Sequence, residues 1–285
     1  MNFGEQKLQF YCLSGNVNGR IDPESGKFPA PSRGRRWATV SSLSPLVAGE
    51  APIGRADEIV QRITEAIHLG LLDDAERLPV EVDLAGQFGV APMTVREALA
   101  TLRDQGLVET RRGRSGGSFV CRPAGPPVEQ LTARLAAMSI SDVRDLFDEH
   151  TAIAGQAARL AAERAAPYAV RRLFALTDQL GSAVTLGDRI RADSRFHIQV
   201  AIASQSARLA RREANLQADV AGLIWLPVEP VVQVDPYVEE LHAISAAVAA
   251  ENAAEARRLA EAHIMGQLAR LTQVNVNLTV GRGAS

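Results

Sequence analysis

The sequence predicts a mainly α-helical protein built from a small N-terminal module and a larger all-helical domain. Hydrophobic residues make up 46% of the chain and aromatic residues only 5%, and alanine is abundant, a composition that favours helices over a β-sandwich. Apolar residues recur with helical spacing over most of the chain from residue 55 onward. At 285 residues the chain has room for two domains of ordinary size.

Charge and cysteine content narrow the class of protein. The net charge is −2, so a surface for a polyanion must be local rather than global. Cys12 and Cys121 are far apart in the chain and form no CxxC pair, which argues against a disulfide framework or a thiolate zinc site. The N-terminus has no signal-peptide pattern, and no run of 18 apolar residues occurs. These features predict a cytoplasmic protein without a membrane partner.

Residues 1–52 differ in composition from the rest of the chain. Glycine, proline and serine recur there without apolar periodicity, which predicts a disordered extension or residues upstream of the natural start. The alternative is a basic arm, since PSRGRRWA contains Arg33, Arg35 and Arg36. Such an arm would add contacts to nucleic-acid phosphates that do not depend on base sequence.

The next segment, residues 53–122, predicts three helices followed by a β-hairpin. Isoleucines recur four residues apart in RADEIVQRITEAIHLGLL, which indicates an amphipathic first helix. A short helix over 81–88 ends at Gly89, and Pro92 suits the first turn of the third helix. The runs LVETRR and GSFVCR predict two short strands. This order is that of a winged helix-turn-helix, whose second central helix lies in the major groove of DNA.

The first turns of the third helix hold the candidates for base contacts. Thr94 and Arg96 stand there, where side chains of such a helix reach base edges. Arg96 suits a bidentate contact with guanine, because its planar guanidinium matches the O6 and N7 acceptors. Alternatively, Arg96 only pairs with an acidic neighbour such as Glu97 or Asp104. Met93 is either a packing residue or a contact to a thymine methyl group.

The stretch ETRRGRSGGSFVCRP, residues 109–123, carries four arginines and three glycines. A nucleotide-binding loop is excluded, because the glycines precede a strand and prolines rather than a helix N-terminus. A linker is excluded as well, because the proline-rich hinge lies just downstream. The stretch is therefore predicted to be the tip of the wing, where glycines allow a tight turn and arginines meet phosphate or a narrow minor groove.

At these residues the sequence resembles the GntR family of bacterial transcription regulators. The resemblance runs from RLPVEVDLAGQFGV through TVREALATLRDQGLVETRRG to GGSFV, and it implies a homodimer on a palindromic operator. Val82 and Pro92 stand where the family usually has arginines that touch DNA, which puts the family's usual operator sequence in doubt. The predicted DNA-binding residues are Met93, Thr94, Arg96, Arg111, Arg112, Gly113, Arg114, Ser115 and Gly116.

The rest of the chain predicts an all-α antiparallel helical bundle. Residues 123–128 contain three prolines and form a linker. Residues 129–276 then have helical periodicity throughout, and residues 277–285 are expected to be a flexible tail. The predicted helices lie near 129–138, 141–164, 167–182, 187–204, 206–223, 236–251 and 253–276.

Histidines in this half suggest a metal site. Asp193 and His197 are four residues apart and share one helix face. His242 is ten residues before Asn252 and His263 eleven after it, so a helical turn there brings both imidazoles level, about 15 Å from the turn. Three imidazoles and a carboxylate suit Zn²⁺, Ni²⁺, Mn²⁺, Co²⁺ or Fe²⁺. The alternative is that these histidines are hydrogen-bonded core residues.

The same residues resemble the FCD domain, the ligand-sensing half of the FadR subfamily of GntR regulators. The resemblance implies a divalent metal next to a pocket for small organic acids, with the metal held by Asp193, His197, His242 and His263. His150 stands where the family often has arginine, and Ser206 where it usually has asparagine. With Arg195, one turn from the site, these residues are the predicted effector pocket.

Together these patterns predict a dimeric DNA-binding transcription regulator, with repression favoured, whose helical domain binds a divalent metal and a small effector such as a carboxylate. One alternative is the same regulator with a structural metal and no effector. The other is a metalloenzyme that uses the three-histidine and aspartate set with open positions. No acid, base or nucleophile next to that set makes a convincing catalytic partner, and the enzyme would leave the DNA-binding module unexplained.

Overall fold

The computed structural model describes residues 54–113, 116–121 and 125–283. The N-terminal extension and the wing residues Arg114 and Ser115 lie outside the described residues, so the expectations for them stay predictions.

Three helices and a hairpin form the N-terminal module: α1 (Arg55–His68), α2 (Glu81–Phe88), α3 (Pro92–Asp104), β1 (Val108–Arg111) and β2 (Gly117–Val120). The isoleucines of α1 pack with the apolar face of α3 to form its core. Helix α2 ends because Gly89 takes the left-handed conformation, with φ at 65°, which costs glycine little. The next turn places Pro92 at the start of α3, as predicted.

The hairpin closes against these helices. Its strands are antiparallel, with Val108 opposite Val120, and both valines are buried. A bridge between Arg77 and Phe119 adds the segment before α2 to β2. The predicted winged helix-turn-helix is confirmed.

Over residues 125–283 the chain forms seven helices: α4 (Val128–Ala137), α5 (Ile140–Arg164), α6 (Pro167–Gly181), α7 (Leu186–Ala203), α8 (Ala207–Ile224), α9 (Val234–Ala249) and α10 (Ala253–Gly283). They correspond one for one to the predicted helices, so the all-helical fold class is confirmed. Among the described residues, no helix is both long enough and apolar enough to cross a bilayer.

Helix α7 lies in the middle of this domain. Helices α5, α6 and α8 pack against it, and most of its residues are buried. A helix enclosed on so many sides cannot keep all its polar side chains in water, so Asp193, His197 and Gln199 lie in the interior. The interior polar site of the domain depends on this placement.

Helix α10 packs along α5, where α5 presents small residues. Ala154, Ala157 and Ala161 are buried there, and a Cβ at Gly155 would lie 2.6 Å from the Glu261 side chain. Small side chains let two helices approach closely. This contact holds His150 of α5 and His263 of α10 against the same face of α7.

Helix α10 continues to Gly283, past the end predicted near residue 276. Val274 is buried, and the Asn275 side-chain amide donates hydrogen bonds to the carbonyls of Leu135 and Met138. Past residue 276, the Asn277 side-chain amide donates to the carbonyl of Glu229 over 3.3 Å, and Leu278 packs against the core of the domain. The predicted flexible tail is therefore helical as far as Gly283, and residues 284–285 lie outside the described residues.

Candidate DNA-binding surface and buried metal site

The first turn of α3 faces solvent. Val95, Leu99 and Leu102 bury the inner face of the helix, whereas Met93 is 58% exposed and Arg96 is exposed. Thr94 lies between these extremes. The three residues predicted to contact bases therefore lie on or next to the accessible face of the predicted recognition helix.

Arg96 pairs with an acid that the sequence did not suggest. Its Nε and Nη2 atoms donate to Oε2 of Glu81, 15 residues earlier, over 3.1 and 2.8 Å. The hydrogen bond and charge of Glu81 raise the pKa of Arg96. The contact uses one edge of the guanidinium and leaves Nη1 outside it, so Arg96 is oriented and still has donors for a base. The alternative partners Glu97 and Asp104 do not make this contact.

Among the described residues, the wing presents two arginines where β1 enters the turn, Arg111 and Arg112. Arg111 lies over the Phe119 ring, 4.3 Å from the ring centre, and pairs with Glu109 over 2.6 Å. Arg112 and Gly113 are exposed. The turn is tight, because a Cβ at Gly116 would lie 2.5 Å from the carbonyl oxygen of Arg111. Phe119 and Glu109 thus fix the base of the wing, while Arg112 remains at its accessible tip.

In the helical domain the structure brings three of the four predicted metal ligands side by side. Asp193 is buried and accepts hydrogen bonds from Trp225 Nε1 at 2.9 Å and from Tyr237 OH at 3.0 Å. His197 Nε2 lies 3.4 Å from Asp193 Oδ1, and the His197 ring stacks on that of His263 with centres 5.3 Å apart.

In two of these three residues, every side-chain nitrogen or oxygen atom already has a hydrogen-bond partner within the protein. Both nitrogens of His263 have partners, Glu240 at Nδ1 over 2.6 Å and Gln267 at Nε2 over 2.9 Å. Both oxygens of Asp193 accept from the Tyr237 hydroxyl. These hydrogen bonds hold α7, α9 and α10 together.

His242 does not join them. It is 41% exposed, with Nε2 3.5 Å from Asp178 Oδ1, and its ring lies beside Phe174. The interior face of α9 is formed by Leu241, Ile244 and Val248. Successive helix residues differ by about 100° around the axis, so the residue after Leu241 turns away from the interior. His242 lies at the predicted height along α9, but its side chain points away from the other three predicted ligands.

A different group of ligand atoms does converge. Among the described residues, His150, His197 and Glu213 each offer a ligand atom within 4.8 Å of the others, and all three are buried. His150 Nε2 lies 3.1 Å from Glu213 Oε1, and Gln217 Nε2 donates to the same oxygen over 2.9 Å. The His150 and His197 rings meet edge to face.

Each member of this trio also has a buried atom that makes no hydrogen bond within the protein. These atoms are His150 Nδ1, His197 Nε2 and Glu213 Oε2. A buried polar atom without a partner costs about 1–3 kcal/mol, and three in one cluster indicate that something else satisfies them. A small cavity with room for about one water-sized group adjoins His197 and Glu213, which line it together with Phe196 and Val200 among others.

The buried carboxylates and imidazoles shift one another's pKa values toward their charged forms. Burial raises the pKa of Glu213, but the charges of His150 and His197 more than offset it, so the pKa is lowered. Burial also raises the pKa of Asp193, and contact with His197 reverses the shift. Burial lowers the pKa of His197, whereas Asp193 and then Glu213 raise it overall. Two carboxylates thus flank one buried imidazole, an arrangement that favours positive charge at this position.

The three predicted effector residues are separated. His150 belongs to the trio beside the cavity. Ser206 caps α8, accepting from the backbone N–H of Leu209 over 3.4 Å, and it does not line the cavity. Arg195 lies on the opposite side of α7, where its Nη1 is 3.7 Å from Asp73 Oδ1 of the N-terminal module.

Sequence analysis missed Glu213 and Gln217. Both fall within the buried stripe of α8, which includes Ala210, Ala214 and Val220. An acid inside an apolar stripe at helical spacing was the available signal, because such a residue is rarely buried without a partner. Histidine spacing alone does not indicate this carboxylate, because Glu213 lies on a helix without a histidine.

The fold and the exposed recognition helix define a DNA-binding transcription regulator, and comparison with known proteins agrees. Residues 55–120 match the family described as bacterial regulatory proteins, gntR family, and residues 145–266 match the FCD domain. The chain therefore belongs to the GntR family of helix-turn-helix regulators with a C-terminal FCD domain, the FadR type, and is not an enzyme.

Two sequence relatives fit the same assignment. The chain is 43% identical over 236 residues to the HTH-type regulator RmpR of Mycobacterium gastri, covering 82% of this chain and 85% of that protein. It is 30% identical over 206 residues to the HTH-type regulator LutR of Bacillus subtilis, covering 68% and 91%. A solved GntR-family structure from Pseudomonas syringae pv. tomato is 19% identical, covers 85% and 95%, and superposes with a TM-score of 0.44.

Proposed function

We propose that this regulator holds a divalent metal at His150, His197 and Glu213 and that occupancy of this site, by the metal and a small organic acid, alters operator binding. The observation that carries the proposal is a buried trio whose ligand atoms lie within 4.8 Å of one another, each residue also having one buried atom without a hydrogen bond. Two imidazoles and a carboxylate suit Zn²⁺, Ni²⁺, Mn²⁺, Co²⁺ or Fe²⁺. A bound metal would supply a Lewis-acidic centre with open positions for an acidic ligand.

The spacing of the trio is close to what such an ion needs. Neighbouring ligands of a tetrahedral ion with bonds of about 2.1 Å are roughly 3.4 Å apart. The ligand atoms here lie within 4.8 Å of one another, so side-chain shifts of up to about 1 Å would close the set. Gln217 holds the Glu213 carboxylate from the side, as a hydrogen-bonded partner of a metal ligand does.

Helix α7 connects this site to the DNA-binding module. It carries His197 and, within one turn, Arg195, which approaches Asp73 of the module. Gly70 of the module has φ at 69°, and a Cβ there would lie 3.1 Å from both Arg191 and Arg195. A ligand that shifts α7 therefore shifts the contact with the module, and it changes operator affinity by its differential affinity for the two arrangements.

The metal proposal is tested by a matched pair of variants. Wild-type protein purified without chelator is expected to contain about one equivalent of metal per chain, and Glu213→Gln to contain little. Glu149→Gln is the control, because Glu149 is adjacent to His150 in sequence but lies at the surface, paired with Arg212. Metal-free wild-type protein that gains no melting temperature with Zn²⁺ or Ni²⁺ would contradict the proposal.

A structural metal without an effector is the second candidate, favoured by the small size of the cavity. The two are separated by a thermal-shift screen of small carboxylic acids with metal present, followed by operator binding for each hit. An effector is expected to raise the melting temperature of wild type but not of Glu213→Gln. If no acid acts on wild type, the metal is structural.

For the DNA surface, we propose that Arg96 contacts guanine, with Thr94 and Met93 beside it, and that the wing residues Arg111, Arg112 and Gly113, together with Arg114, Ser115 and Gly116, follow the backbone. Duplexes selected from a random pool by wild-type protein provide the probe. Arg96→Ala is expected to lose specific binding while remaining folded, because a bidentate guanine contact contributes about 1–3 kcal/mol of discrimination. Arg103→Ala, at the far exposed end of α3, should bind as wild type does. An unchanged gel shift for Arg96→Ala would overturn the contact.

A dimer on a palindromic operator would show as paired half-sites in the selected duplexes. Sedimentation of the free protein measures the dimer directly.

A further inference from the structure

The accessible surface around Arg96 is apolar on both sides. Val82 of α2 is 69% exposed and Met93 of α3 is 58% exposed. Single exposed apolar residues are common and need no explanation. These two differ because they flank one arginine on two helices, in the part of the module that faces DNA.

The Glu81–Arg96 contact sets how these residues lie relative to each other. Met93 precedes Arg96 by three residues, so the two side chains are neighbours on one face of α3. Glu81 holds the Arg96 guanidinium over 2.8 Å, and Val82 follows Glu81 directly in the first turn of α2. The contact therefore ties the two apolar side chains to the guanidinium from either helix.

We propose that Val82 and Met93 are specificity-determining residues that contact the C5-methyl groups of thymines next to the guanine that Arg96 contacts. The inference rests on the proposed DNA surface and names the bases it selects. The major groove presents one apolar group, the thymine methyl, and apolar side chains are its partners. Neither residue can hydrogen-bond a phosphate or a base, so burial of a methyl group is the contact that their chemistry allows.

The test separates the methyl group from the hydrogen-bonding pattern of the base. In each selected duplex, single thymines are replaced by deoxyuridine, which lacks the methyl and keeps every hydrogen-bonding atom. At a contacted thymine, wild-type affinity is expected to fall about fourfold, which corresponds to about 0.8 kcal/mol for one buried methyl. Met93→Ala and Val82→Ala should bind the thymine duplex more weakly, and each should lose the thymine preference at its own position.

Matched controls exist elsewhere in the chain. Met265→Ala and Val184→Ala remove side chains that are 48% and 86% exposed in the helical domain, and both variants should keep the full thymine preference. Circular dichroism and melting temperature establish that each variant is folded.

Three results would overturn the inference. Equal affinity of wild type for thymine and deoxyuridine at every position would do so, as would an unchanged thymine preference in both Met93→Ala and Val82→Ala, or selected half-sites without thymine next to guanine. Each of these leaves the proposed DNA surface standing if Arg96→Ala still loses specific binding. Failure of the pool to enrich any sequence would instead overturn the proposed surface, and the inference with it.

Discussion

The two halves of the molecule differ in where their polar side chains lie. The N-terminal module exposes nearly all of them at least partly, whereas the helical domain buries many. Among the described residues of the N-terminal module, the buried side chains are apolar apart from Arg62. The helical domain buries a series of polar and charged side chains, including Asp193, His197, Glu213 and His263. The module thus exposes its polar groups where a large partner can reach them, whereas the helical domain encloses them beside a small cavity.

Because of this difference, substitutions in the two halves should affect the free energy of unfolding differently. An exposed residue such as Arg96 contributes little to folding, because water can replace its contacts. A buried charge contributes to both function and folding, since removing it leaves partners without water or a hydrogen bond. Substitutions should therefore separate stability from DNA binding in the module and couple them in the helical domain.

The largest expected effect is at Asp193. Asp193→Ala leaves the Trp225 N–H and the Tyr237 hydroxyl without their buried acceptor. We expect a loss of about 3–5 kcal/mol in the free energy of unfolding, measured by urea denaturation. The exposed acid Asp178 provides the control, and Asp178→Ala should be near wild type. A loss below about 1 kcal/mol for Asp193→Ala, which is the range of a solvent-exposed ion pair, would contradict the role of Asp193 as a buried hydrogen-bond acceptor.

Metal addition should act on the helical domain alone. At a free metal concentration 100 times Kd, binding stabilises the folded state by about 2.7 kcal/mol. Hydrogen exchange measured with and without Zn²⁺ or Ni²⁺ should show slower exchange in α5, α7 and α8, with little change in α1 and α3. Equal protection of both halves would show that they do not fold as separable units. No change anywhere would contradict the metal site.

At Glu81 we expect the opposite result: a substitution should change DNA-binding specificity and leave the stability of the fold unchanged. Glu81→Ala frees Arg96, so the ratio of specific to non-specific affinity should fall roughly two- to fivefold. Non-specific affinity itself should rise, because a negative charge near the phosphates is lost. Glu81→Gln keeps an acceptor for Arg96 and should retain more of the ratio. A melting temperature that falls with the specificity would show that the contact is structural.

The smallest effect is expected at the wing. Arg112→Ala should weaken binding to all sequences about equally and reduce the slope of log affinity against log salt by about one. Binding measured between low and physiological salt gives this slope. A change in which bases are preferred would show that Arg112 contacts a base edge rather than phosphate.

Much of the fold could be predicted from the sequence, because its signals are local. Helical periodicity, Gly89 and Pro92 define α2 and α3, and glycines between two short strands define the wing. The pairing of Asp193 with His197 was also local, since four residues on one helix share a face. The end of α10 was missed because residues past 276 contact a distant part of the chain: the Asn277 side-chain amide donates to the carbonyl of Glu229, 48 residues earlier.

The sequence by itself determined the class of protein and the helices that carry its functional residues. Only the tertiary structure decided which side chains meet. His242 lies at the predicted level but turns outward, while Glu213 enters the interior from α8 and joins His150 and His197. The reason is that spacing along a helix fixes height, whereas direction depends on how neighbouring helices pack and rotate against each other. The same holds for Arg96, whose partner Glu81 comes from another helix.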